Sequence, residues 1–161
     1  MADEQNNAAA QEETITGQIA ILKVYVKDLS IENPEAPQVF QTESMPSVEM
    51  NMRSEAKKLG DDNYESVLTV TLKFKNEDKT VLLVEVAQAG VFAIKGIPEN
   101  AMQQLLSVHC PSVLFPYARQ VASAAVGQAG FPPFYLPPTN LEALYHQQLA
   151  AQQQEAPDSV N

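Results

Sequence analysis

Two stretches of apolar alternation, separated by the four polar residues Asn76 to Lys79, constrain this chain more than any other feature. From Tyr64 to Lys75, Leu68, Val70, Leu72 and Phe74 alternate with Thr69, Thr71 and Lys73. From Thr80 to Ala87, Leu82, Val84 and Val86 alternate with Val81, Leu83 and Glu85. A period of two is the signature of a strand, and a link this short suits an antiparallel hairpin. Val48, Met50 and Met52 alternate with Glu49 and Asn51 in the same way. Ile19 to Ile31 is rich in Ile, Val, Leu and Tyr, but its alternation is imperfect. Leu22, Val24 and Val26 fall on one side, and Ile19, Ile21 and Tyr25 on the other, which predicts a strand covered on both faces or a bulge. Four strands with short links predict an antiparallel sheet.

The second half changes period. Pro98 can open a helix carrying Met102, Leu105 and Leu106, with Pro111 and Pro116 interrupting or restarting it. Ala118, Ala122 and Ala125 then recur at helical spacing, with Gly127 and Gly130 as stops. Such a stripe of small residues packs on the parent sheet or admits another helix. Gly130 to Asn140, GFPPFYLPPTN, is too rich in proline for helix or central strand and reads as a stiff extended segment. A last helix follows, capped at Thr139 or Asn140, with a capping box between Thr139 and Glu142. Its apolar face carries Leu141, Leu144, Tyr145 and Leu149. Strands followed by helices make the fold class α+β.

With 161 residues, the chain is the size of one domain. Residues 1–14 and 154–161 are polar and are expected to be disordered tails around a folded region, 15–153. The N-terminus lacks the basic start and apolar run of a signal peptide, and no apolar run is long enough to span a membrane. The single Cys110 forms no internal disulfide and fits a reducing, cytoplasmic setting. Twenty acidic residues against ten basic ones give a formal net charge of −10, which argues against nucleic acid and anionic membranes as partners. Cys110 and His109, with His146, are too few for a zinc site, and nucleotide-binding and hydrolase motifs are missing, so neither cofactor nor enzyme chemistry is expected.

What remains is apolar surface in irregular segments: Val39 and Phe40 in a proline-flanked connection, FPPFYLPP, and the Leu and Tyr face of the last helix. Such residues either cap the chain's own core or receive extended apolar polypeptide.

At these residues the chain resembles SecB, the tetrameric export chaperone of Gram-negative bacteria. The matching stretches are YVKDLSIENPEAPQVF (25–40), VLLVEVAQAGVFAIKGI (81–97), HCPSVLFPYARQ (109–120) and GFPPFYLPPTNLEALY (130–145). The resemblance implies a Greek-key sheet with helices on one face, assembled as a dimer of dimers. It implies an ATP-independent holdase that keeps unfolded secretory precursors translocation-competent and delivers them to the SecA motor. By position, a substrate groove would involve Ile31, Val39, Phe40, Leu141, Leu144 and Tyr145, and SecA docking would involve Asp28, Glu32, Leu83 and Glu85. Val84, Val86 and Gln88, together with the alanine stripe at 118, 122 and 125, would influence oligomerisation. The chain departs from the family in having no Trp, with Ser44-Met45-Pro46 where a groove-loop tryptophan is common. Two alternatives remain: a SecB-like chaperone for a dedicated client such as an antitoxin, and a small-ligand binding protein.

Overall fold

The computed structural model describes residues 17–154. Four long strands, β1 (Gln18–Glu32), β2 (Ser47–Gly60), β3 (Asn63–Asn76) and β4 (Lys79–Lys95), form one sheet. Their spatial order is β1-β4-β3-β2, and every neighbouring pair is antiparallel. Three strands joined by hairpins, with the remaining strand connected by a long loop and lying beside the far end, make a Greek key. The expected tails lie outside the described residues, except Gln154, which closes the last helix.

The alternation marks the strands but understates their length. β2 continues eight residues past Met52 to Gly60, where Ser54, Ala56 and Lys58 occupy the positions an apolar pattern would fill. Pairing with β3 carries it there, for instance Ser54 with Leu68 and Lys58 with Tyr64. Its turn needs left-handed backbone at Asp61 and Asp62, with φ of 50° and 63°, which short acidic side chains tolerate.

β1 resolves the broken alternation by bulging. The register to β4 shifts between Ile21 and Lys23 and again between Val26 and Asp28. Each shift returns the apolar residues to one side, so Ile19, Ile21, Val24, Val26, Leu29 and Ile31 all stand opposite Ile94, Phe92, Gly90, Gln88, Val86 and Val84. Tyr25 stands opposite Ala89 on the other face. The alternative of a strand covered on both faces is thereby corrected.

The helices pack on one face of this sheet. The segment from α1 (Glu99–Gln104) to α2 (Cys110–Gln128) runs on through a π-helical stretch at Leu105–His109. There the Cys110 N–H donates to the Leu105 carbonyl, five residues back. The extra residue is spent immediately before Pro111, whose missing N–H falls in the first turn of α2. Pro116, expected to interrupt, lies inside α2 on its exposed side, so the helix tolerates it. Gly127 is helical, and the stop is at Gly130. Phe131 N–H reaches the Val126 carbonyl and Gly130 N–H the Gly127 carbonyl, with Gly130 at φ 91°. That is a Schellman ending, which places glycine at its left-handed position.

α2 lies over β3 and β4. Its stripe Leu114, Ala118, Ala122, Ala125 and Val126 is buried against Leu68, Val70, Leu72, Val84, Val86 and Phe92. Gly90 permits the approach: a Cβ there would come within 3.0 Å of Leu114 and of the Phe92 ring. The last helix, α3 (Leu141–Gln154), starts after the proline-rich segment. Its cap is Asn140, whose Oδ1 accepts the Ala143 N–H at 3.1 Å, while the Thr139 hydroxyl donates instead to the Pro137 carbonyl. The capping box expected at Thr139 does not form.

Candidate functional site: an aromatic cleft and an acidic sheet face

The connection between β1 and β2 and the proline-rich segment meet over one end of the sheet. Val39, Phe40, Met45 and Pro46 from the first face Gly130, Phe131, Pro133 and Phe134 from the second, with Val48 and Phe74 as floor. They enclose an open cleft of about 570 Å³, a size that accepts several apolar side chains. Its wall is a run of rings. Phe40 meets Phe131 edge-on at 5.5 Å between centroids, Phe131 lies 6.1 Å from Phe74, and Phe74 meets Phe134 edge-on at 5.6 Å. Edge-to-face contact of this kind holds rings at fixed angles without sealing the space between them. Proline explains why the wall is extended: four prolines within residues 131–138 deny it helix and ladder bonds, so it lies across the sheet as a strap.

A second, far smaller hollow of about 20 Å³ lies further along β2. Leu141, Leu144 and Tyr145 of α3 line it together with Met52, Leu68 and Pro111. Along β2, Val48 belongs to the first hollow and Met52 to the second, and Met50 stands between them on the same side of the strand. The six expected groove residues therefore do not line one cavity. Val39 and Phe40 are in the aromatic cleft, Leu141, Leu144 and Tyr145 in the second hollow, and Ile31 on the exposed apolar side of β1. Sequence reasoning flagged FPPFYLPP as contact surface but left Phe131 and Phe134 out of the groove. Phe74, placed by its alternation on the apolar face of a strand, was not connected with the groove either. The signal was available in the paired phenylalanines around Pro132-Pro133, which a simple capping role does not need.

The opposite face of the sheet is polar and acidic at one corner. Asp28, Ser30 and Glu32 of β1 stand opposite Ala87, Glu85 and Leu83 of β4. Asp28, Glu32, Leu83 and Glu85 thus share one face, away from the helices, as neighbours on two adjacent strands. Thr71 Oγ1 donates to Glu85 Oε2 at 3.1 Å and fixes that carboxylate. Further along the same face, Glu65 accepts bonds from Lys27 and from the Tyr25 hydroxyl. Lys27 foremost, and then Tyr25, hold the Glu65 carboxyl below the usual range. The same carboxylate, with burial, pushes the Tyr25 hydroxyl up to about 12.

Val84, Val86, Gln88, Ala118, Ala122 and Ala125 are all buried within the single chain. Gln88 donates through Nε2 to the Tyr25 carbonyl at 3.0 Å, so it ties β4 to β1. Cys110 is buried too, and burial pushes its thiol up to about 11, which leaves it without thiolate character. Neighbouring His109 is exposed. Among the described residues, no three His, Cys, Asp or Glu side chains gather as metal ligands, and no helix is long and apolar enough to cross a membrane.

The family profile described as preprotein translocase subunit SecB matches residues 10–152. The chain belongs to the SecB family. A protein-export protein SecB of Methylobacillus flagellatus is 50% identical over 148 residues, covering 92% of each chain. One from Chromobacterium violaceum is 47% identical over 143 residues, 89% of this chain and 95% of the relative. Among solved structures, a SecB-like chaperone of Mycobacterium tuberculosis, in complex with a peptide from an antitoxin, superposes with a TM-score of 0.63. It is 14% identical and covers 75% of this chain and 90% of its own, a likeness of fold. In this SecB-family chain the Greek-key sheet with its one-sided helices is thus the family's architecture, and the cleft is formed by its two proline-containing segments.

Proposed function

We propose that this chain is a passive export chaperone of the cytoplasm, without enzymatic activity, that holds unfolded precursors and passes them to the SecA motor. The observation that carries the proposal is the aromatic cleft. It is open, apolar and built from segments whose backbones are irregular, so it accepts side chains without demanding one sequence. The second hollow, about 20 Å³, is too small to take a side chain, so a client segment there would rest on the surface around Leu144 and Tyr145, and weak contacts along one chain add through multivalency. In this reading Val39, Phe40, Phe74, Phe131 and Phe134 hold client side chains first, and Leu141, Leu144 and Tyr145 hold the next segment. Ile31 belongs to the apolar side of β1, where a second copy would pack in a dimer of dimers. Val84, Val86, Gln88 and the α2 alanines would act on assembly indirectly, by setting how β4 and α2 present β1.

Asp28, Glu32, Leu83 and Glu85 would receive the motor on the face opposite the cleft. Separate faces let client and motor bind together. The identity to proteins named as export SecB favours secretory precursors over an antitoxin as client.

The test is light scattering with a reduced precursor that is kept from refolding, without nucleotide. A tetramer that gains one precursor per particle is expected, and a monomer that ignores the unfolded chain would overturn the reading. Glu85→Lys and Asp28→Lys should weaken binding of the motor by roughly tenfold and leave the precursor's affinity unchanged. Equal loss of both in titration calorimetry would remove the division between the faces.

A further inference from the structure

Ring contacts set the angles within the cleft, and one peptide of the α2 terminus is gripped from two sides. Asn33 ends β1, and its Nδ2 donates to the Ala129 carbonyl at 2.8 Å. Phe40 lies on the next residue, Gly130. A Cβ at Gly130 would come within 2.9 Å of the Phe40 Cζ and 3.0 Å of its Cε1. Between these two contacts the connection folds through a short 3-10 turn at Gln38–Gln41, in which Phe40 N–H reaches the Pro37 carbonyl at 3.1 Å. The Phe40 ring is 49% exposed and rests on the Gly130 backbone on one side and the edge of Phe131 on the other. The donor is fixed as well: only the amide nitrogen of Asn33 can face a carbonyl, which leaves its Oδ1 buried without a partner.

We propose that Asn33 and Gly130 form a latch that sets the position of Phe40, and through it which client side chains the cleft accepts. Asn33 is a positioning residue, because it acts through the Ala129–Gly130 peptide. Gly130 determines specificity, because the absent Cβ is the space the ring occupies. The left-handed backbone at Gly130 serves the helix ending, but a helix ending alone would tolerate asparagine there. The contact with Phe40 adds a requirement for no side chain at all. The cleft held in this way favours planar aromatic side chains, which slot against the Phe40 ring, over branched aliphatic ones.

This inference rests on the reading of the cleft as a client site, and its test separates the two. The full chain is compared with Gly130→Ala, Asn33→Ala, Phe40→Leu and the double variant Gly130→Ala/Phe40→Leu. Two fluorescent unfolded peptides are used, identical but for Phe or Leu at one central position. Leucine lacks the Cζ and Cε1 atoms that meet the added methyl. Gly130→Ala and Asn33→Ala should each weaken the Phe peptide about tenfold and erase the preference for it over the Leu peptide. In the Phe40→Leu background, Gly130→Ala should cause no further loss. An equal loss in both backgrounds would mean backbone strain alone and would overturn the latch. If the wild-type chain binds neither peptide, the chaperone reading fails, and the latch is judged by NMR of labelled phenylalanine rings. Displaced Phe40 resonances in Gly130→Ala and Asn33→Ala would uphold it, and unchanged ones would overturn it.

Discussion

The sheet carries apolar side chains under its helices on all its strands, but only its middle is closed. On β3 and β4, Leu72, Leu82, Val84 and Val86 are completely buried. On β1, residues that pair directly with β4, such as Ile21, Val26, Leu29 and Ile31, remain 39–51% exposed. The chemistry is the same, so the difference is geometric. A helix about 10 Å across covers roughly two strands spaced 4.8 Å apart, and α2 lies over β3 and β4. The outer strands are left to other cover: the proline-rich strap and the π-helical stretch Leu105–His109 over β2, and, within the described residues, nothing comparable over β1. The middle of the sheet makes the fold stable, and its margins keep the apolar surface that a binding protein needs.

The sharpest way to break this comparison is to truncate leucine in both places. Leu72→Ala should cost about 3 kcal/mol in denaturant unfolding, as expected for a fully buried leucine. Leu29→Ala should cost less than about 1 kcal/mol at protein concentrations where copies do not associate. Equal costs would show that β1 is covered as well as the middle. Next in size is Gly90→Ala, where the added methyl drives into Leu114 and Phe92 and lifts α2 from β4. Roughly 1–3 kcal/mol of stability should be lost in the same assay, the usual cost of overpacking. A neutral result would mean that α2 does not bear tightly on the sheet.

At the margin the effects shrink. Asn140→Ala removes the cap of α3 and should cost about 1 kcal/mol, seen as faster amide exchange near Ala143 with the sheet amides unchanged. Smallest is Glu65→Gln on the polar face. In the folded chain the Glu65 carboxyl is held below its ordinary value of 4.5, so its contribution is full above that pH and is lost as pH falls through the folded value. The stability gap between wild type and Glu65→Gln should be no more than about 1 kcal/mol near neutrality and narrow under acid. A gap that widens on acidification would contradict the assigned partners.

The sequence itself determined the strands' existence, their faces, the change to helices after Ile97, and the contact-rich character of the two proline-containing segments. These are local matters: a period of two, a period of 3.6, and the missing N–H of proline express themselves wherever the chain goes. Local pattern also narrowed β1 to two options, and the structure chose bulges, because pairing with β4 then places Ile19, Ile21, Val24, Val26, Leu29 and Ile31 on one side. Three outcomes belonged to tertiary structure alone. Pro116 stays helical on the solvent side of α2. The expected groove residues fall in two separate hollows because the β1–β2 connection and α3 come to rest at different points along β2. Phe74, on the apolar face of its strand, becomes part of the cleft because residues more than fifty positions away, Phe131 and Phe134, come to rest on it. Contacts between distant segments leave no periodic trace in the sequence, since they depend on how loops place whole elements and not on the residues' own neighbours.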